Sequence, residues 1–178
     1  MKAYICSIGE KTTQLCCEQL KKYGFEVILL DEKESWRKKY IRFIELAKET
    51  CIRIDADIIP NSNIKNILNE ELGDTTMIQY GHYCLYKNLP SIGNPCLYTK
   101  EALDIIKMNV NFIHETRPET SAWRMDGVRQ KAWTDDTIMG THGFFQFKED
   151  IERAKANKIN RKQEGQYDFD LVDKIMKL

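Results

Sequence analysis

Tyr40-Ile41-Arg42-Phe43-Ile44-Glu45-Leu46-Ala47-Lys48-Glu49-Thr50-Cys51-Ile52-Arg53-Ile54-Asp55-Ala56-Asp57-Ile58-Ile59-Pro60 is the stretch that decides the fold. From Ser35 onward, Trp36, Tyr40, Phe43, Ile44 and Ala47 share one helical face, with Arg37, Lys38, Arg42, Glu45 and Lys48 away from it. The spacing then changes. Cys51 to Pro60 predicts a central apolar strand that meets two acids and stops at a proline.

The same alternation continues on both sides. Towards the N-terminus, Ala3 to Ile8 reads as a strand stopped by Gly9, and Thr12 caps a helix whose apolar positions are Leu15, Cys16, Leu20 and Tyr23. Gly24 ends that helix, and Phe25 to Leu30 forms a second strand closing at Asp31. Beyond Pro60, a helix with Ile64, Ile67, Leu68 and Leu72 on one face stops at Gly73. Thr75 to Tyr86 follows as one long strand or a hairpin broken near Gly81, and then a helix runs from Thr99 to Met108. Strands alternating with helices through short connections predict an α/β domain, a mostly parallel sheet flanked by helices. Asn109 to Thr141 has little periodicity, Gly143 to Phe147 reads as a last strand, and a charged tail follows. The expected division is one domain over residues 1–147 and a C-terminal helical tail over 148–178, its two surface helices joined by Asn160 to Gln166.

Composition narrows the function classes. The 178 residues hold 27 Lys+Arg against 27 Asp+Glu, so no overall field draws the chain to nucleic acid or an anionic membrane. With 42% hydrophobic and 30% charged residues, the chain can bury a core. The start lacks a signal-like apolar run and no later run approaches the ~20 apolar residues of a membrane span, so a cytoplasmic protein is expected. Six cysteines form no C-x-x-C pair, which predicts buried thiols rather than a zinc site or a disulfide framework.

Neither G-x-x-x-x-G-K-[ST] nor G-x-G-x-x-G follows the first strand, where only Gly9 is found, so a Walker-type NTPase and a standard dinucleotide enzyme both lose ground. Asp55-Ala56-Asp57 stands out instead. Carboxylates at a strand end can point into the crevice where open α/β sheets bind ligands. There they can hold Mg²⁺ or Mn²⁺, which takes one or two protein carboxylates and completes its shell with water and substrate phosphate. By itself D-x-D is a common pattern, since two acids in a turn often only cap a helix or face water.

The run from Tyr40 to Asp57 resembles the passage in GT-A-fold glycosyltransferases of the family 2 type, in which a helix leads into a strand ending in D-x-D. The first strand ending in Ser7-Ile8-Gly9 and the second ending in Asp31 look like the nucleotide-binding half of that fold. The resemblance covers roughly residues 3 to 100. It departs from the family at Asp31-Glu32-Lys33, where an acidic pair followed by small residues is usual, and in the shortness of the chain.

The resemblance implies a nucleotide-sugar-binding part over 1–100 and an acceptor and catalytic part over 101–147. It implies a UDP- or GDP-sugar donor held by Ser7, Gly9, Asp31, Arg53, Asp55 and Asn94, with Asp31 on the nucleoside and Asp55 on ribose or metal. Asp55, Asp57 and a late histidine, His142, would form the metal site for Mn²⁺ or Mg²⁺; His82 and His114 are expected in ordinary structural roles. An inverting transfer also needs a carboxylate to take the acceptor proton. Glu119 sits at the comparable place, with Glu115, Asp126, Asp135 and Asp136 in the same irregular segment. Trp123 and Trp133 are candidates to stack on a sugar, and Arg124, Arg129 and Lys131 to neutralise the departing diphosphate.

The reading is therefore a metal-dependent, inverting glycosyltransferase with an unidentified acceptor, nucleic acid entering only in that role. Two alternatives remain at this level. One is a nucleotidyltransferase, for which Ser7-Ile8-Gly9-Glu10-Lys11 is a poor glycine-rich loop. The other is a non-catalytic nucleotide- or nucleic-acid-binding module using Trp36 to Arg42 and Lys155 to Lys162, against which the zero net charge argues.

Overall fold

The structure, a computed structural model, describes residues 1–85, 89–132 and 137–143. Its strands are β1 (Lys2–Cys6), β2 (Glu26–Leu30), β3 (Cys51–Asp55), β4 (Ile58–Pro60), β5 (Met77–Cys84), β6 (Leu89–Tyr98), β7 (Gln130–Ala132) and β8 (Ile138–His142). Its α-helices are α1 (Thr13–Lys22), α2 (Trp36–Leu46), α3 (Lys100–Met108) and α4 (Pro118–Trp123). All the strands join one sheet in the order β2-β1-β3-β6-β5-β8-β4, with β7 added beside β5. Pairing is parallel across β2-β1-β3 and antiparallel where β6 lies between β3 and β5. This is the α/β class the alternation predicts.

Strand alternation decides the packing. Tyr4, Cys6, Cys51, Cys96 and Tyr98 face α2, α3 and α4, where Tyr40, Phe43, Ile44, Leu103, Ile106 and Ala122 meet them. Ala3, Ile5, Ile52, Ile54 and Leu97 face the other way, onto Cys16 and Leu20 of α1 and Ile64 and Ile67. Both faces are thus buried, which is why these strands read as nearly continuous apolar runs. All six cysteines are buried thiols. Among the described residues no helix is long and apolar enough to cross a membrane.

Several local expectations change. Cys51 to Pro60 is two strands, because Ala56 and Asp57 turn the chain: the Ala56 amide donates to the Cys6 carbonyl at 3.0 Å, and its carbonyl accepts the Thr12 hydroxyl at 2.7 Å. Thr12 is therefore spent on that turn and does not cap α1 with its side chain. The segment after Pro60 is a 3-10 helix, Ser62–Asn69, rather than a full α-helix. Within the stretch expected as one long strand or a hairpin, Met77–Cys84 is a single strand, β5, and one of its partners is β6, which sequence patterning left unassigned. Ser35 and Thr99 cap α2 and α3, accepting from the Lys38 and Ala102 amides. The irregular segment contains α4, β7 and β8; of the last strand expected from Gly143 to Phe147 only Gly143 is described, past the end of β8. The expected tail helices lie outside the described residues.

Candidate functional site

The parallel register of β1 with its neighbours pairs Cys6 with Leu30 and with Asp55. Ser7, Asp31 and Asp55 therefore emerge at one edge of the sheet, the carboxyl edge where open α/β sheets bind ligands. β6 runs antiparallel beside β3 and brings Asn94 to the same edge. There the Asn94 amide donates to Asp55 Oδ2 at 2.5 Å, and Asn94 Oδ1 accepts from the Asp55 amide at 3.2 Å.

Arg53 lies beneath this edge with 1% of its surface exposed. Its Nη2 donates to Asp55 Oδ1 at 2.6 Å and to Glu119 Oε1 at 2.7 Å. The guanidinium carbon sits 4.9 Å from the centre of the Trp36 ring, and Trp36 Nε1 donates to Glu119 Oε2 at 3.3 Å. A buried guanidinium persists only when paired, and here two carboxylates and an aromatic face do it. Trp36, Arg53, Asp55, Asn94 and Glu119 line one cleft of about 460 Å³, with His82, Gln79 and Thr120. Burial drives the Asp55 carboxyl up to about 7, Arg53 opposing, while the nearby Asp57 and Glu119 charges add to the rise.

Asp57 pairs with His142, whose ring centre lies 5.6 Å from that of the cleft-lining His82. Asp57 Oδ2 lies 3.0 Å from His142 Nε2, while His142 Nδ1 meets Cys84 Sγ at 3.4 Å. Burial lowers the basicity of this imidazole, but the Asp57 carboxylate outweighs it and holds the group up at about 10. Among the described residues no cluster of three or more His, Cys, Asp or Glu side chains is positioned to hold a metal. Asp57 and His142 form a two-donor pair, whereas both Asp55 oxygens are bonded to Arg53 and Asn94. The Asp57 carboxylate is the ligand type Mn²⁺ and Mg²⁺ take, with water and phosphate in the remaining positions, whereas imidazole is more often a ligand of zinc, copper, iron or nickel.

After β1, Ser7 is buried and Gly9 takes φ +97°, a backbone that favours glycine. The Ser7 hydroxyl donates to Glu10 Oε2 at 2.6 Å and the Ile8 amide to the same oxygen at 2.8 Å. The buried Lys39 ammonium donates to the Ser7 carbonyl. Asp31 is exposed just past β2.

Of the other candidates, Glu115 pairs with Arg37 at 3.5 Å, and Asp126 lines a second cleft. Asp135, Asp136 and Trp133 lie outside the described residues. Arg129 and Lys131 do not reach the first cleft: Arg129 is bidentate to Glu101 and Lys131 pairs with Glu70 at 3.4 Å. Arg124 lines the second cleft, and Trp123 packs on the core. The cleft's tryptophan is instead Trp36, which helical spacing placed on the apolar face of α2. His82, expected to be structural, lines the cleft with Nδ1 2.9 Å from the Asn94 carbonyl. Only its place at the long strand's kink near Gly81 hinted at this.

No family model and no curated protein matches the sequence. Solved structures do. A glycosyltransferase involved in the glycosylation of the major capsid of PBCV-1 matches with a TM-score of 0.57 at 14% identity, over 86% of this chain and 98% of that one. A197 from STIV gives 0.54 at 16% identity over 75% and 82%. A putative glucose-1-phosphate thymidylyltransferase from Bacillus anthracis gives 0.51 at 10% identity over 88% and 94%. At such identities the likeness is one of fold.

Proposed function

We propose that this protein is a glycosyltransferase that moves a sugar from a nucleotide-diphospho-sugar to an acceptor hydroxyl, with inversion. The observation that carries the reading is the convergence of Asp55, Asn94, Arg53 and Glu119, from three separate stretches of chain, on one cleft at the carboxyl edge. Asp31 is assigned to the nucleoside, Asp55 and Asn94 to the ribose-sugar region, and Glu119 to the acceptor proton. Arg53 fixes the two carboxylates and is not itself exposed to the donor. Asp57 and His142 would hold a divalent cation, which supplies charge neutralisation for the departing diphosphate when bound.

Nucleotidyl transfer shares the fold, and its triphosphate substrate needs a loop of hydrogen-bond donors after β1. Here Glu10 occupies that loop, its carboxylate taking both the Ser7 hydroxyl and the Ile8 amide. An anion placed there repels phosphate, which favours glycosyl transfer. The test is a thermal-shift panel of UDP, GDP, CTP and UDP- and GDP-sugars with and without Mn²⁺, followed by donor turnover. Binding stabilises the fold as RT ln(1 + [L]/Kd). Stabilisation by diphosphates and nucleotide-sugars supports the reading. Stabilisation by CTP alone would replace it with nucleotidyl transfer.

A further inference from the structure

α4 separates two clefts. Glu119 faces the one described above, and Thr120 lines both. The second cleft, about 760 Å³, is lined by Phe112, His114, Arg117, Arg124 and Asp126 among others. Its charge is unusual for this protein. Arg37, Arg42, Arg53 and Arg129 each have a carboxylate partner. Among the described residues Arg117 and Arg124 have none, and both line this cleft, against one acid, Asp126.

Two further groups add to it. His114 Nδ1 lies 3.2 Å from the Thr116 amide and accepts from it, so its Nε2 carries the hydrogen and is a donor. Phe112 is 77% exposed. A large aromatic held in water beside unpaired guanidinium groups presents a flat apolar face next to a fork of donors.

We infer that this second cleft binds the acceptor and that the acceptor carries an oxyanion, a phosphomonoester or a carboxylate, gripped by Arg117 and Arg124 with its ring against Phe112. The inference rests on the glycosyl-transfer reading only in calling the ligand an acceptor. Thr120, the residue after Glu119 in α4, lines both clefts. Guanidinium pairs with phosphate and carboxylate through parallel N–H···O bonds, and each lost charge-assisted bond costs affinity roughly ten-fold or more.

The test is calorimetric titration of the full chain with glucose 1-phosphate, glucuronate and glucose, with UDP binding measured in parallel. The variants are Arg117→Gln/Arg124→Gln and Arg117→Lys/Arg124→Lys. The wild type is expected to bind one or both charged sugars at least ten-fold more tightly than glucose, and which one binds identifies the headgroup. The Gln pair should lose at least ten-fold of that affinity, the Lys pair should recover part of it, and UDP affinity should stay unchanged. Equal binding of charged and neutral sugars, or an unaffected Gln pair, overturns the inference. Arginine-dependent binding of a charged sugar without any UDP binding would sink the glycosyltransferase reading and leave the anion site standing.

Discussion

Arg53 Nη2 stands 2.7 Å from Glu119 Oε1, so a strand in the middle of the sheet and a short helix far along the chain meet at one buried charge. The same nitrogen holds Asp55 at 2.6 Å. Without it, two carboxylates would face each other at the cleft floor. Arg53→Met, which keeps an unbranched apolar stem and removes the guanidinium charge, should destabilise the fold by about 3 kcal/mol. That is the lower part of the range for breaking a buried pair, since the Asp55 and Glu119 side chains keep 30% and 20% exposure and can be partly hydrated. Urea denaturation measures it. A loss below about 1 kcal/mol would mean that the triad behaves as a surface pair.

Glu119→Gln separates binding from chemistry. The amide can still accept from Trp36 Nε1, so the cleft keeps its shape, but it cannot take a proton. Donor affinity should change little while transfer falls about 10²- to 10⁴-fold. Stability should drop as well, because Arg53 loses one of its two carboxylates, and assays belong well below the unfolding midpoint. Full transfer by this variant would move the base role to Asp126 or to Asp136.

How much of this was legible in the sequence depended on range. α2 announced itself through Trp36, Tyr40, Phe43 and Ile44 at helical spacing, and the carboxyl-edge acids followed from reading where β2 and β3 stop. The turn at Ala56-Asp57 did not, because it contains neither glycine nor proline and is held by Cys6 and Thr12 from elsewhere in the chain. β6 was hidden by Pro90, Gly93 and Pro95, which break the strand signature even though its residues pair with β5 and β3. The roles of Trp36 and His82 at the cleft come from contacts that no local pattern encodes.

Asp31→Ala should act on binding alone. The residue is exposed at the end of β2, so its removal should leave stability within about 0.5 kcal/mol. If it contacts the nucleoside, affinity should fall for UDP and for the UDP-sugar alike, by about ten-fold for one lost hydrogen bond to a charged group. Calorimetry with both ligands tests this. An effect on the sugar nucleotide alone would place Asp31 at the sugar instead.

Asp57 and His142 make a pH-dependent pair whose sign can be worked out. The folded imidazole is held near 10, above its ordinary 6.5, because the carboxylate 3.0 Å away outweighs burial. The folded state therefore binds the proton more tightly than the unfolded chain. The pair's stabilisation is fully present below about pH 6.5 and is lost as pH rises through about 10. Asp57→Asn removes the largest influence that raises the imidazole, leaving Cys84 to oppose burial, and should lower the His142 midpoint well below that of the wild type. An NMR titration of the imidazole protons reads this directly, and a wild-type midpoint near 6.5 would show that the pair does not form in solution. The same proton reports on the cation. A metal on Nε2 displaces it, so Mn²⁺ binding at pH 7 should release close to one proton, visible as a dependence of the calorimetric heat on buffer ionisation enthalpy. His142→Ala should weaken Mn²⁺ binding and abolish the release. Mn²⁺ binding without proton release in the wild type would remove His142 from the metal site and leave Asp57 to hold the cation with substrate phosphate and water.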